Sequence, residues 1–161
     1  MPLKQLHIEQ VKPNFRVAGI SAHIGVSDSL AVGAIYRGNN ELDGVISRQS
    51  DAPLFEVISG MLRESRHLGQ IRLILLREDT LAMDEAENLW VETGKPVMMA
   101  LKTSFLDPRY MLNYRGRVFF AAGIDEESAK RVLDVVIGED GSEALRIADI
   151  ILKALLNLHN V

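Results

Sequence analysis

The chain has 161 residues, 47% hydrophobic and 25% charged, with no cysteine and a formal net charge of −4. That length buries a substantial core in one domain, taken here as 1–161, and the composition excludes intrinsic disorder, a disulfide framework and thiolate metal sites. The acidic balance excludes a protein that coats nucleic acid by overall positive charge, but it leaves room for a local basic groove.

Pro13 precedes a first strand, NFRVAGISAHIG, in which Phe15, Val17 and Ile20 mix with Ala18 and Gly19 as in a buried strand. SLAVGAIYRG (29–38) and ELDGVISRQS (41–50) follow, separated by the turn signal Asn39-Asn40. Three strands with short links predict an antiparallel meander. After Pro53 the period changes: Leu54, Val57, Ile58, Met61 and Leu62 predict a helix over 53–67, stopped by Gly69. IRLILL (71–76) reads as a strand covered on both faces. Residues 81–93 read as a helix with Asp84, Glu85 and Glu87 in its first turns, closed by Gly94 and Pro96. PVMMALK (96–102) is another buried strand, and the βαβ order makes it parallel to 71–76. Residues 103–116 read as an irregular, partly helical excursion, and RVFFAAG (117–123) as a further strand. Asp125 is placed to cap a helix whose apolar face carries Ala129, Val132, Leu133 and Val136. Ser142 is placed to cap a last helix carrying Leu145, Ala148, Leu152 and Leu155. This order is mixed α/β, of which a ribonuclease H-like sheet is one option.

No apolar run reaches the roughly 20 residues that span a bilayer, and MPLKQLHIEQ lacks the apolar core of a signal peptide. A cytoplasmic protein without membrane contact is the expectation.

Three segments narrow the fold. KPNFRVAGIS (12–21), LILLREDTLAMDEAENLWVETGKPVMMALK (73–102) and SEALRIADIILKAL (142–155) resemble an archaeal protein family of unknown function related to endonuclease V. In that family the first strand ends in Gly-Ile-Asp, a Thr-Gly-x-Pro-Val join leads into a central strand, and the last helix commonly reads Pro-Glu-x-Leu-Arg-x-Ala-His. VGAIYRG and LDGVISRQSDA fit between them, so the similarity runs in order over nearly the whole chain. The resemblance implies a ribonuclease H-like mixed sheet, three antiparallel strands followed by parallel ones, flanked by helices. It also implies metal-dependent hydrolysis of a phosphodiester, with Mg²⁺ or Mn²⁺ held by carboxylates at strand ends.

Carried over residue by residue, the resemblance puts Ser21 where the family has Asp, Asp51 on the second carboxylate, and Arg77 where a third Asp is expected. Glu78 and Asp79 lie next to that position but out of register, and neighbouring strand residues point to opposite faces. Lys102 stands where endonuclease V has a lysine after the equivalent strand. A neutral hydroxyl is a poor metal ligand and a permanent guanidinium a worse one. The expectation is therefore a degenerate relative, associated with nucleic acid or regulatory, with little or no nuclease activity and no cofactor. If it is active, it uses Mg²⁺ or Mn²⁺ on Asp51 with Glu78 or Asp79. A third reading is a protein-interaction module that keeps the scaffold.

Several residues carry a second reading. Asp51 is a metal ligand or the cap of the helix after Pro53, and Arg77 is expected to pair with it. Lys102 contacts a phosphate or ends a solvated strand. His23 beside Ser21 is an acid or base or, preferably, a loop histidine, and Ser21–His23 lacks the third group of a nucleophilic set. Arg63, Arg66 and Arg72 make a basic patch or a solvated face, and Trp90 reads as core or interface. Arg109, Arg115 and Arg117 with Tyr110 and Tyr114 give the most nucleic-acid-like local composition. Oligomeric state is open.

Overall fold

The structure, a computed structural model, describes residues 5–102 and 110–159. Its centre is a seven-stranded mixed sheet. β1 (Arg16–Ile24), β2 (Ser29–Arg37) and β3 (Glu41–Ser50) form the expected antiparallel meander. β4 (Leu73–Leu76) and β5 (Val97–Leu101) then lie parallel to β1 on its other side. β6 (Met111–Tyr114) and β7 (Arg117–Ala122) close the sheet as an antiparallel hairpin, giving the order β3-β2-β1-β4-β5-β7-β6. The helices are α1 (Leu54–Glu64), α2 (Met83–Thr93), α3 (Glu126–Val136) and α4 (Glu143–His159).

The alternation of β1 explains the two layers. Ala18 and Ile20 point to a core completed by Val57, Ile58 and Leu62 of α1 and Ala86 and Leu89 of α2. Val17 points to the opposite core, completed by Val132, Leu133 and Val136 of α3 and Ala148 and Leu152 of α4. β4 and β5 are buried throughout because helices cover both faces. Among the described residues no helix is long and apolar enough to cross a membrane.

Two expectations need correction. Of the segment 103–116 read as an irregular excursion, residues 103–109 lie outside the described residues, and the rest contains β6, which turns into β7 through Arg115 (φ 46°) and Gly116 (φ 76°). Positive φ at both central residues is the two-residue hairpin turn that matches strand twist, so Tyr-Arg-Gly-Arg was a hairpin signal. Asp51 does not cap α1: the N-cap is Pro53, with no side-chain hydrogen bond.

The cap of α3 is as expected. Asp125 accepts the Ser128 N–H at 2.9 Å and also binds His7 Nδ1 at 2.9 Å, tying the N-terminal segment to α3. Burial works against its charge, but the Ser128 amide, His7 and the Ser128 hydroxyl together hold its carboxyl below the usual range. Asp125→Ala should cost about 1–2 kcal/mol in urea denaturation, the upper range for a lost cap. The difference should be complete above the ordinary carboxyl value of 3.8 and vanish as pH falls through the lower folded value. A difference that does not shrink as pH falls below 3.8 would sink this account.

Candidate functional site

β1, β4 and β5 run parallel, so their C-terminal ends share one edge of the sheet, and α4 crosses β1 and β2 beside it. Ile20 pairs with Leu76, which places Ser21 and Arg77 next to each other just past the last paired rung, where the Arg77 N–H donates to Ile20 O at 3.1 Å. By alternation both side chains emerge on the α4 face.

There they meet Asp149. The Ser21 hydroxyl donates to Asp149 Oδ1 at 3.2 Å, Arg77 forms an ion pair with the same oxygen, and Lys153 Nζ lies 2.8 Å from Oδ2. Ser21 is buried, and the Asp149 side chain is 19% exposed. Partial burial pushes the Asp149 carboxyl upward, but Lys153, Arg77 and Ser21 outweigh it and leave the group below the usual range. One carboxylate is thus held by two cations and a hydroxyl, which leaves the cluster one excess positive charge on two partly exposed side chains.

Ser21 and Arg77, which the resemblance assigns to one site, are neighbours in the structure, but the partner expected for Arg77 is not the one it has. Its ion pair is with Asp149, not Asp51. Asp51 is exposed and follows Ser50, whose rung runs through Ser29 to Ile24, so it lies two strands away from β1 and beyond the level of Ser21. Glu78 turns to Arg117, 3.7 Å away. Asp79 sits at the tip of the following turn with φ 55°, exposed. Lys102 is exposed at the end of β5, and His23 lines a groove of about 460 Å³ with Ser21, Arg77, Asp149 and Lys153. Among the described residues no three His, Cys, Asp or Glu side chains converge as metal ligands. Asp149 is the residue the sequence reading missed; in Ser-Glu-Ala-Leu-Arg-Ile-Ala-Asp it stands where the resembled family commonly has His, which by itself names no partner.

The basic and aromatic cluster is mostly committed internally. Tyr114 is buried, donates to Asp134 at 2.6 Å and lies under Arg115, 5.0 Å from its ring centre. Burial and then Asp134 push its hydroxyl up to about 12. Tyr110 donates to Glu87 at 2.7 Å and tilts against Phe120. Arg109 lies outside the described residues.

Beside the cluster is a cleft of about 400 Å³, lined by Leu75, Ala100, Phe119 and Leu145 and by both signs of charge: Arg77, Arg117 and Arg146 with Glu78, Asp140 and Asp149. With that geometry in place, solved structures give the parallel. A protein of unknown function from Archaeoglobus fulgidus superposes with a TM-score of 0.71 at 17% identity, covering 88% of this chain and 98% of the other. Ciona intestinalis endonuclease V, in complex with a 24mer DNA containing an inosine followed by a ribo-adenosine, superposes with a TM-score of 0.65 at 10% identity, covering 88% and 85%. The fold is that of endonuclease V. No family model matches the chain. In sequence it is similar to archaeal UPF0215 proteins. That of Methanosarcina acetivorans is 32% identical over 99 residues, 57% of this chain and 50% of the relative. That of Methanopyrus kandleri is 34% identical over 106 residues, 60% and 54%. The chain spans about half the length of these relatives. The resemblance read from the three segments is borne out by both comparisons.

Proposed function

We propose that this chain is an endonuclease V-like protein whose strand-end site has changed from holding metal to holding an anion, and that it binds nucleic acid, or regulates a process on it, with little or no cleavage. The observation that carries this reading is the Ser21–Arg77–Asp149–Lys153 cluster. The donor set does not fit a divalent ion. At about 4 Å and an effective dielectric of about 20, a dication gains roughly 8 kcal/mol from one carboxylate and loses about as much to each cation. Two cations against one carboxylate leave a net repulsion, and neither Asp51 nor Glu78 joins the cluster to reverse it. A phosphate arriving at Arg77 and Lys153 meets the opposite balance, and a guanidinium recognises it through paired hydrogen bonds. The DNA carried by the Ciona intestinalis protein on the same fold supports nucleic acid as the partner.

Calorimetric titration of Mg²⁺ and Mn²⁺ tests this directly. No binding is expected up to millimolar metal, and no cleavage of inosine-containing DNA or RNA. Stoichiometric metal binding that Asp51→Ala abolishes, accompanied by strand cleavage, would restore the nuclease reading with Asp51 as ligand.

A further inference from the structure

The other end of the same three strands carries a row of cations. Val17 pairs with Leu73 and Ile74 with Val97. One and two residues earlier, these registers line up Arg16, Arg72 and Lys95 at the entrances of β1, β4 and β5, with the Arg72 N–H bonded to Arg16 O at 2.9 Å. Adjacent strands are about 4.8 Å apart, so the row is tight.

Two grooves meet at Arg72. One, about 480 Å³, is lined by Gln10, Lys12, Asn14, Arg16 and Gln70 as well. The other, about 330 Å³, adds His7, Trp90 and Lys95. Neither is lined by an aspartate or glutamate. Asp43 neutralises Arg16 at 2.8 Å and spends its other oxygen on Arg37 at 2.9 Å. His7 faces Asp125 and, at 3.9 Å, Glu9. Lys12, Arg72 and Lys95 have no carboxylate partner, and the side-chain amides of Gln10, Asn14 and Gln70 no hydrogen bond, among the described residues. Burial and then the Arg72 guanidinium hold the Lys95 ammonium below its ordinary range. In a chain of net charge −4, a strip of unpaired cations crowded together is a site built for an anion from outside.

We propose that this end of the sheet is a second nucleic-acid site, taking the phosphates of a single strand along Lys12, Arg72 and Lys95 and its bases against the amides and Trp90. A free phosphate would occupy one point of the row, whereas the two joined grooves form a track. Amides offer donors and acceptors to base edges, and an indole offers a surface for a base face. The site is separate from the Arg77 cleft and does not depend on how that cleft functions.

Trp90 is the one tryptophan in the chain and lies in the groove, so its emission reports on this end of the sheet. Titration with an oligothymidylate of about 15 nucleotides should change that emission. With three unpaired cations neutralising phosphates, log K should fall against log salt with a slope of about −2. Arg72→Gln with Lys95→Gln removes exposed and half-buried cations outside the core. It should weaken binding at least tenfold and flatten the slope by about 1.4. Four results would overturn the proposal: no change in Trp90 emission, equal affinity in the double variant, equal displacement by polyglutamate of matched charge, or saturation by inorganic phosphate in place of the oligonucleotide. Loss of binding in Arg77→Gln with Lys153→Gln, but not in the Arg72 and Lys95 variant, would move the strand to the other cleft and overturn it too.

Discussion

Gly19→Ala should destabilise the protein by about 3 kcal/mol, the upper end for inserting a methyl group into packed structure. A Cβ at Gly19 would stand 2.6 Å from the Ala144 carbonyl carbon, 2.7 Å from its Cβ and 2.7 Å from the Leu145 nitrogen. Two of those atoms are backbone at the start of α4, so no rotamer change relieves the clash. The helix must move away from β1. Gly33 is the internal comparison. A Cβ there meets Ile46 Cγ1 at 2.8 Å and otherwise only flexible side-chain ends, so Gly33→Ala should cost about 1 kcal/mol. Urea midpoints at matched m-values measure both, and a Gly19 variant no less stable than the Gly33 variant would refute the close contact. The effect reaches the site, since Gly19 lies on the α4 face two residues before Ser21. Moving α4 outward carries Asp149 away from a hydroxyl it now holds at 3.2 Å.

That coupling explains what could be read from the sequence. β1 to β3 and the β4–α2–β5 unit were legible because their signals are local: apolar stretches in β1, β2, β4 and β5, and the breakers Asn39-Asn40, Gly94 and Pro96. The caps of α3 and α4 were legible for the same reason, as Asp125 and Ser142 accept amides three residues on, at 2.9 and 3.2 Å. β6 was lost because four residues show too little alternation to stand out and the Arg115–Gly116 turn was not weighed as a turn. The positions of Ser21 and Arg77 came from the resemblance. What no local pattern shows is that they converge on a residue 128 positions from Ser21. Asp149 lies on the face of α4 that periodicity marks only as next to the core, and one charged letter in that stretch does not announce a partner on another strand. The phasing of a strand-to-helix junction fixes the level of Asp51 along the chain but not its distance across the sheet. β3 is the edge strand, with β2 between it and the site.

Ser21→Asp combined with Arg77→Asp should create metal binding where the parent chain has none. Both side chains now touch Asp149 Oδ1, so carboxylates in their places would converge on a third that α4 already holds. The shorter aspartate at 77 also vacates the volume of the guanidinium. Without metal, three like charges raise one another's pKa and oppose folding, so the double variant should melt below the parent at neutral pH. Mn²⁺ should reverse that. Metal at 100 times its dissociation constant adds about 2.7 kcal/mol to the folded state, a rise of several degrees in a domain of this size, while the parent's melting temperature should not move. Asp149→Asn in the same background should abolish the rise, which separates binding at this cluster from weak binding elsewhere on an acidic surface. If the double variant gains nothing from metal, Ser21 and Arg77 are not what separates this site from a metal centre. The difference would then lie in Asp51, held two strands away, and the site would have been lost through geometry as well as charge.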